Sequence, residues 1–151
     1  MIPIRIRGFK SYTEIHGVST EVHRDKTFME INQITEKIIC CAINVHKCLG
    51  PGLLESAYEE CMIFELQNAG LKTERQKPVP VIYKEIKLDC GYRIDILVEN
   101  TVIIELKTVD AFNPVHEAQV LTYLKFADKK VGLLINFNVT LLKNGVKRYK
   151  I

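Results

Sequence analysis

Between Gly91 and Lys107 apolar and polar residues alternate with period two, the spacing of strands whose two faces meet different surroundings. Tyr92, Ile94, Ile96 and Val98 fall on one face, and Arg93 and Asp95 on the other. Beyond Glu99, Asn100 and Thr101 the alternation resumes. Val102, Ile104 and Leu106 share one face there, and Ile103, Glu105 and Lys107 the opposite one. The pattern predicts a hairpin. A three-residue turn, with Asn100 in a left-handed position, pairs Val98 with Val102 and Ile96 with Ile104. Asp95 then stands opposite Glu105, and Arg93 opposite Lys107. A two-residue turn would slip the register by one and set Asp95 against Ile104.

On either side of this hairpin the period changes to that of a helix. Ile34, Ile38, Cys41 or Ala42, and Val45 recur every three or four residues from Asn32 on, and Gly50-Pro51-Gly52 ends the run. A second helix is predicted over Leu53 to Ala69. Its apolar arc holds Leu53, Leu54, Ala57, Tyr58, Cys61, Met62 and Phe64, with Glu55 at the margin. Glu74 to Tyr83 carries Pro78 and Pro80 and reads as an irregular or edge strand. Tyr83 to Ile86 is a turn leading into Lys87–Val98. A third helix spans Val115 to Asp128, with His116, Gln119, Tyr123 and Phe126 on one side. Val131 to Asn136 is continuously apolar, as suits a central strand buried on both faces. The tail from Leu141 to Ile151 contains Asn144-Gly145, a hairpin turn signal, among four basic residues. Together these elements predict an α/β fold, a mixed sheet with helices on its faces.

Length adds that the 151 residues form one domain. Residues 1–28 lack sustained periodicity and are expected to be a poorly ordered extension ahead of a domain over 29–151. A net charge of +3 admits a nucleic-acid partner without singling one out. No apolar run approaches the ~20 residues of a membrane span, so no membrane partner is expected. Five cysteines without a C-x-x-C suggest neither a disulfide framework nor a zinc site, and a reducing cytoplasm is the natural setting.

The chemistry lies in the hairpin. Opposed residues of an antiparallel pair sit ~5 Å apart on the same face, so Asp95 and Glu105 repel when both are ionised. A divalent cation held by oxygen ligands relieves that repulsion, and Lys107 adds positive charge beside it. The plainer reading is a polar ladder in which Asp95 pairs with Arg93 or Lys107, and Glu105 with Lys107. Glu55 either reaches out to water or leans over the sheet as a third acid. A metal-independent nucleophile at Cys90 or His116 lacks supporting spacing. His46 reads as an ordinary helix histidine.

Asp95 followed by Glu105-Leu106-Lys107 resembles the motif of the PD-(D/E)XK nuclease superfamily. Gly52-Leu53-Leu54-Glu55-Ser56-Ala57-Tyr58 matches the signature of the GxxExxY protein family, which is assigned to that superfamily. The resemblance covers Met29 to Ile151 and includes the Gly50-Pro51-Gly52 break and the Leu134-Ile135-Asn136-Phe137 run. The Gln119-x-x-x-Tyr123 spacing is similar to that of the RecB-like and lambda-exonuclease-like branches. The resemblance implies a restriction-endonuclease-like core in α-β-β-β-α-β order with an extra N-terminal helix. It implies Asp95, Glu105 and the Leu106 carbonyl as ligands of Mg²⁺ or Mn²⁺. Glu55 would serve a second ion or a metal-bound water. Lys107 is implied as the catalytic cation, with Gln119 and Tyr123 orienting the site or the phosphate. Some RecB-like nucleases bind metal through a histidine of the first helix region, which keeps His46 as an outside candidate. The implied activity is metal-dependent phosphodiester hydrolysis in DNA. The alternative is a catalytically silent nuclease-fold module that binds nucleic acid or a protein partner.

Overall fold

The structure, a computed structural model, describes residues 12–151, with side chains from residue 30 onward. The extension expected over residues 1–28 lies outside the residues described in full. Residues 31–151 form one compact unit, and the elements below belong to it except where α1 begins.

Helix α1 spans Tyr12–Leu49. Ile38, Cys41, Ala42 and Val45 are buried at the predicted spacing, and the helix stops at Gly50, whose φ of 67° is left-handed. Helix α2 spans Glu55–Asn68, beginning after Leu53 and Leu54 rather than at them. Its inward line is Tyr58, Glu59, Met62 and Leu66. Phe64 and Leu54, placed by their apolarity on the predicted arc, are 63% and 77% exposed. The arc is misplaced because a charged residue, Glu59, occupies part of the buried stripe, where it ion-pairs with Arg75.

The strands are β1 (Thr73–Pro78), β2 (Val81–Tyr83), β3 (Ile86–Leu88), β4 (Arg93–Val98), β5 (Val102–Lys107), β6 (Val131–Asn136) and β7 (Val146–Lys150). Helix α3 (Pro114–Phe126) connects β5 to β6. Five strands form one mixed sheet in the order β1-β4-β5-β6-β7, in which only the β5–β6 pair is parallel. A parallel pair needs a crossover, and α3 supplies it. Asn113 caps α3 and forms a reciprocal capping box with His116, while Pro114 occupies the first turn. The strand expected over Lys87–Val98 is broken. β2 and β3 form a separate two-stranded hairpin, and β4 begins only at Arg93.

The predicted register holds at the turn, with Val98 facing Val102 and Ile96 facing Ile104. Both Glu99 and Asn100 are left-handed there, at φ 50° and 54°. Lys72 bonds Glu99 through its backbone N–H and its carbonyl, which offsets the strain at a residue poorly suited to that conformation. Asn144-Gly145 lies in the connection between the antiparallel strands β6 and β7, though not as a two-residue hairpin turn. A 3₁₀ turn over Leu142–Gly145 leads into β7, antiparallel to β6. Gly145 is required for space: a Cβ there would meet the Asn136 carbonyl oxygen at 2.3 Å. Lys147 bonds Glu117 and Arg148 bonds Asn32.

Both sheet faces are covered. Ile96, Val98, Val102, Ile104 and Leu106 pack with α1 and α2. Ile94, Leu97, Ile103 and Leu134 pack with Val120, Tyr123 and Leu124 of α3. Among the described residues no helix is long and apolar enough to cross a membrane.

Candidate active site

The alternation along β4 breaks at one residue. Ile96 and Val98 face α1 and α2, but Ile94 packs with Leu97 on the α3 side, against the prediction that it shares a face with Ile96. Asp95 lies at the break. Opposite it on β1, Gln76 takes a left-handed φ of 49°, and the β1–β4 ladder skips this pair. On the other flank the β4–β5 ladder ends at Ile96 and Ile104, so the expected backbone pairs of Asp95 with Glu105 and Arg93 with Lys107 do not form. Side chains replace the missing ladder. The Leu106 N–H donates to Asp95 Oδ2 at 2.8 Å, and the Asp95 N–H donates to Glu105 Oε1 at 3.3 Å. Such an irregularity re-aims a side chain that strict pleating would bury.

Four charged side chains gather around this opening. Glu105 is 1% exposed. Lys107 Nζ stands 4.0 Å from Glu105 Oε2. Glu55 opens α2, and the Thr108 backbone favours its charged form. Burial, then the charge of Asp95, pushes Glu105 up to about 9, with Lys107 opposing. Burial also raises Asp95, against the Leu106 N–H and Lys107. Glu55 is raised by burial, then by Asp95 and Glu59, with Lys107 again opposing. Thus residues from α2, β4 and the end of β5 act on one another electrostatically, and one ammonium group faces three acids. Of the plain polar ladder, the Glu105–Lys107 pair is present, but neither Arg93 nor Lys107 pairs with Asp95. Asp95 is held by N–H groups, and Arg93 reaches only the Gln76 carbonyl.

The supports of the site were not evident in the sequence. Glu59, one helical turn beyond Glu55, accepts from Arg75 and from Gln76, and Gln76 also donates to Asp95 Oδ1 at 3.4 Å. The i, i+4 spacing of Glu55 and Glu59 is the one signal that pointed to it. Asn136 holds the exit of β5, donating to the Val109 carbonyl and accepting from the Val109 and Asn138 N–H groups. The Phe137 N–H donates to the Lys107 carbonyl at 2.9 Å. The fully buried Tyr58 ring stacks on Phe137 with centroids 4.4 Å apart. Its hydroxyl donates to the Gly50 carbonyl at 2.5 Å and accepts from the Leu53 N–H at 3.2 Å. Tyr58 therefore fixes the loop that delivers Glu55. Tyr58→Phe is expected to destabilise the domain by about 1–2 kcal/mol, measured by urea unfolding, because a buried carbonyl loses its donor and the ring stays.

Gln119 and Tyr123 come together, as their spacing predicts, with Gln119 Nε2 donating to the Tyr123 hydroxyl at 3.0 Å. Tyr123 is 5% exposed. Burial raises its hydroxyl pKa, and so do the charges of Glu105, Asp95 and Tyr92, which places it at the edge of the acid group. His46 is spent on the Val139 carbonyl at 2.7 Å, and His116 on the α3 cap. Cys90 is exposed.

Whether the site suits a divalent cation divides into geometry and chemistry. Among the described residues no three His, Cys, Asp or Glu side chains are drawn together closely enough to hold an ion. Their oxygens are turned toward N–H groups instead. The donor set nonetheless fits. It offers hard carboxylate oxygens, and the buried Glu105 and half-buried Asp95 have their charged forms disfavoured. A divalent cation reverses that disfavour.

A family model described as the PD-(D/E)XK nuclease superfamily matches residues 32–149. Neither the curated proteins nor the solved structures yield a match. The mixed five-stranded sheet flanked by helices is the restriction-endonuclease-like arrangement. From the span of that match, and with Asp95, Glu105 and Lys107 gathered at the open end of β4 and β5, the chain belongs to the PD-(D/E)XK nuclease superfamily.

Proposed function

We propose that this protein is a divalent-metal-dependent nuclease that hydrolyses phosphodiester bonds in DNA. The observation that carries the reading is the half-buried Asp95 and the buried Glu105 set beside Lys107, two acids whose charged forms are disfavoured where they stand. Gly52, Glu55 and Tyr58 support a finer placement in the GxxExxY branch. Gly52 has a φ of 101°, Tyr58 ties down the loop, and Glu55 projects from the first turn of α2.

Asp95, Glu105, Glu55 and the Leu106 carbonyl would hold Mg²⁺ or Mn²⁺. When bound, such an ion makes water nucleophilic at neutral pH and neutralises charge on the phosphoryl oxygens. The chain itself orients and excludes. Lys107, as a compact cation, positions the attacking water or faces the developing negative charge. Gln119 and Tyr123 hold each other and offer donors toward the phosphate. Asn136 and Tyr58 keep Lys107 and Glu55 in place through the contacts above.

Incubation with single- and double-stranded DNA and with RNA, in Mg²⁺, Mn²⁺ or EDTA, tests the reading. Cleavage is expected with either metal, and none in EDTA. Tight nucleic-acid binding with no cleavage in any metal would instead favour the silent binding module. Membership of the superfamily and the intact Asp, Glu and Lys set favour catalysis.

A further inference from the structure

Beside the acid pair lies a cavity of about 450 Å³ whose lining includes Val79, Tyr92, Val115, Gln119, Tyr123 and Phe126. That volume falls within the range of small-ligand sites. The acids do not line the cavity, but it shares Gln119 and Tyr123 with the candidate active site, and the Tyr123 hydroxyl feels the charges of Glu105 and Asp95. Val79 and Tyr123 form its core-facing wall, and the rest of its apolar lining is open. Tyr92 is 50% exposed and Val115 is 72% exposed. Its polar elements are few, chiefly the Gln119 amide and the hydroxyls of Thr122 and Tyr123. One Gln119 N–H goes to Tyr123, while the amide also carries a carbonyl oxygen and a second N–H.

Val81, at the foot of the β2–β3 hairpin, also lines the cavity. Along that hairpin Ile82, Tyr83 and Ile86 are each more than half exposed, and Lys84 Nζ lies 5.5 Å from the centre of the Tyr83 ring. Lys87 lies on β3 of the same arm. Aromatic faces interleaved with lysines are what a single nucleic-acid strand requires, one for its bases and the other for its phosphates.

We propose that the cavity seats one unpaired nucleobase adjoining the bond to be cut, so that the substrate strand is single at the point of cleavage. The proposal rests on the phosphodiester-hydrolase reading and names its substrate class. The base slides between Tyr92 and the apolar wall of α3, and its edge meets the Gln119 amide. A base paired within a duplex offers neither a free face nor a free edge, and would first have to be flipped out.

The test uses oligodeoxynucleotides that are single-stranded, fully paired with blunt ends, or single-stranded with an abasic residue moved one position at a time. Binding is followed by anisotropy in Ca²⁺, and cleavage in Mg²⁺ on the intact chain. Single strands are expected to bind and be cut at least about tenfold better than blunt duplex. One abasic position next to the cut should forfeit about tenfold in binding. Tyr92→Ala should cost the same on ordinary single strands and nothing further on that abasic one. Circular dichroism checks that this exposed substitution leaves the fold intact. Equal handling of single strand and duplex, or a Tyr92→Ala protein that binds every strand like wild type, overturns the proposal. The two readings fail separately. Base-dependent, Tyr92-dependent binding without cleavage sinks the hydrolase reading and retains the cavity. Cleavage indifferent to abasic position and to Tyr92 does the reverse.

Discussion

Asp95→Asn is expected to lower the cleavage rate by about 10³-fold or more, with the fold retained. The substitution keeps the volume and one carbonyl oxygen, which can still accept from the Leu106 N–H as Asp95 Oδ2 does. What it removes is negative charge at the one place where β4 departs from its pleat. Lys107→Ala should give a loss of similar size, and Lys107→Arg should not restore the rate. A planar guanidinium cannot replace a compact ammonium in a slot this close to Glu105. In both variants the loss belongs in kcat rather than KM, because these groups act on the reacting phosphate and not on the rest of the strand. Single-turnover cleavage, with thermal unfolding run alongside, makes the measurement. Robust cleavage by Asp95→Asn would remove the mechanism assigned to the site.

Glu105→Gln is expected to stabilise the metal-free protein while abolishing cleavage. The acid is held near 9 in the folded chain by burial and by Asp95. In the unfolded chain it titrates near the ordinary value of ~4.3. Below the unfolded pKa both states carry the proton, and the group costs nothing. As pH climbs toward the folded pKa, the unfolded chain releases its proton and the native chain keeps it, so stability falls across that window. Asp95 and Glu55, also raised, act in the same direction. Glutamine removes the contribution of residue 105 to this decline and can still accept from the Asp95 N–H. Relaxation and water entry reduce the full effect, and a gain of ~2 kcal/mol at pH 8, or roughly 5–8 °C in Tm, is expected. Thermal melts of both proteins in EDTA from pH 5 to 9 measure it. Adding Mg²⁺ should raise the wild-type Tm and leave Glu105→Gln nearly unmoved. A wild-type Tm independent of pH in EDTA, with no gain from glutamine, would show that the buried acid carries no such cost.

The hairpin was legible because period two and the turn residues agreed on one register, and Val98 does face Val102. The helix breaks were legible too, at Gly50-Pro51-Gly52 and ahead of Pro114. Ser56, Glu60 and Gln67 are exposed, as their place outside the α2 arc predicts, but the arc did not include Glu59. Glu59 is buried because Arg75, sixteen residues further on and on a different element, β1, comes to meet it. No periodicity reveals a partner on a different strand. The displacement of Ile94 was equally hidden, since it depends on side chains replacing backbone bonds at Asp95. Asn144-Gly145 marked the reversal between β6 and β7 but not its form. It carries turn chemistry, but Gly145 is present for clearance under Asn136. Among the site residues, Asp95, Glu105 and Lys107 could be read from spacing, whereas Tyr58 and Asn136 act through contacts made only after folding.

The stack of Tyr58 on Phe137 has a reach beyond its own burial. One ring is bolted to the loop before α2, and the other follows directly on the strand whose backbone grips Lys107. An acid from one layer of the molecule and a base from another therefore rise and fall as a single mechanical part. Loosening of either ring is expected to shift Glu55 and Lys107 together.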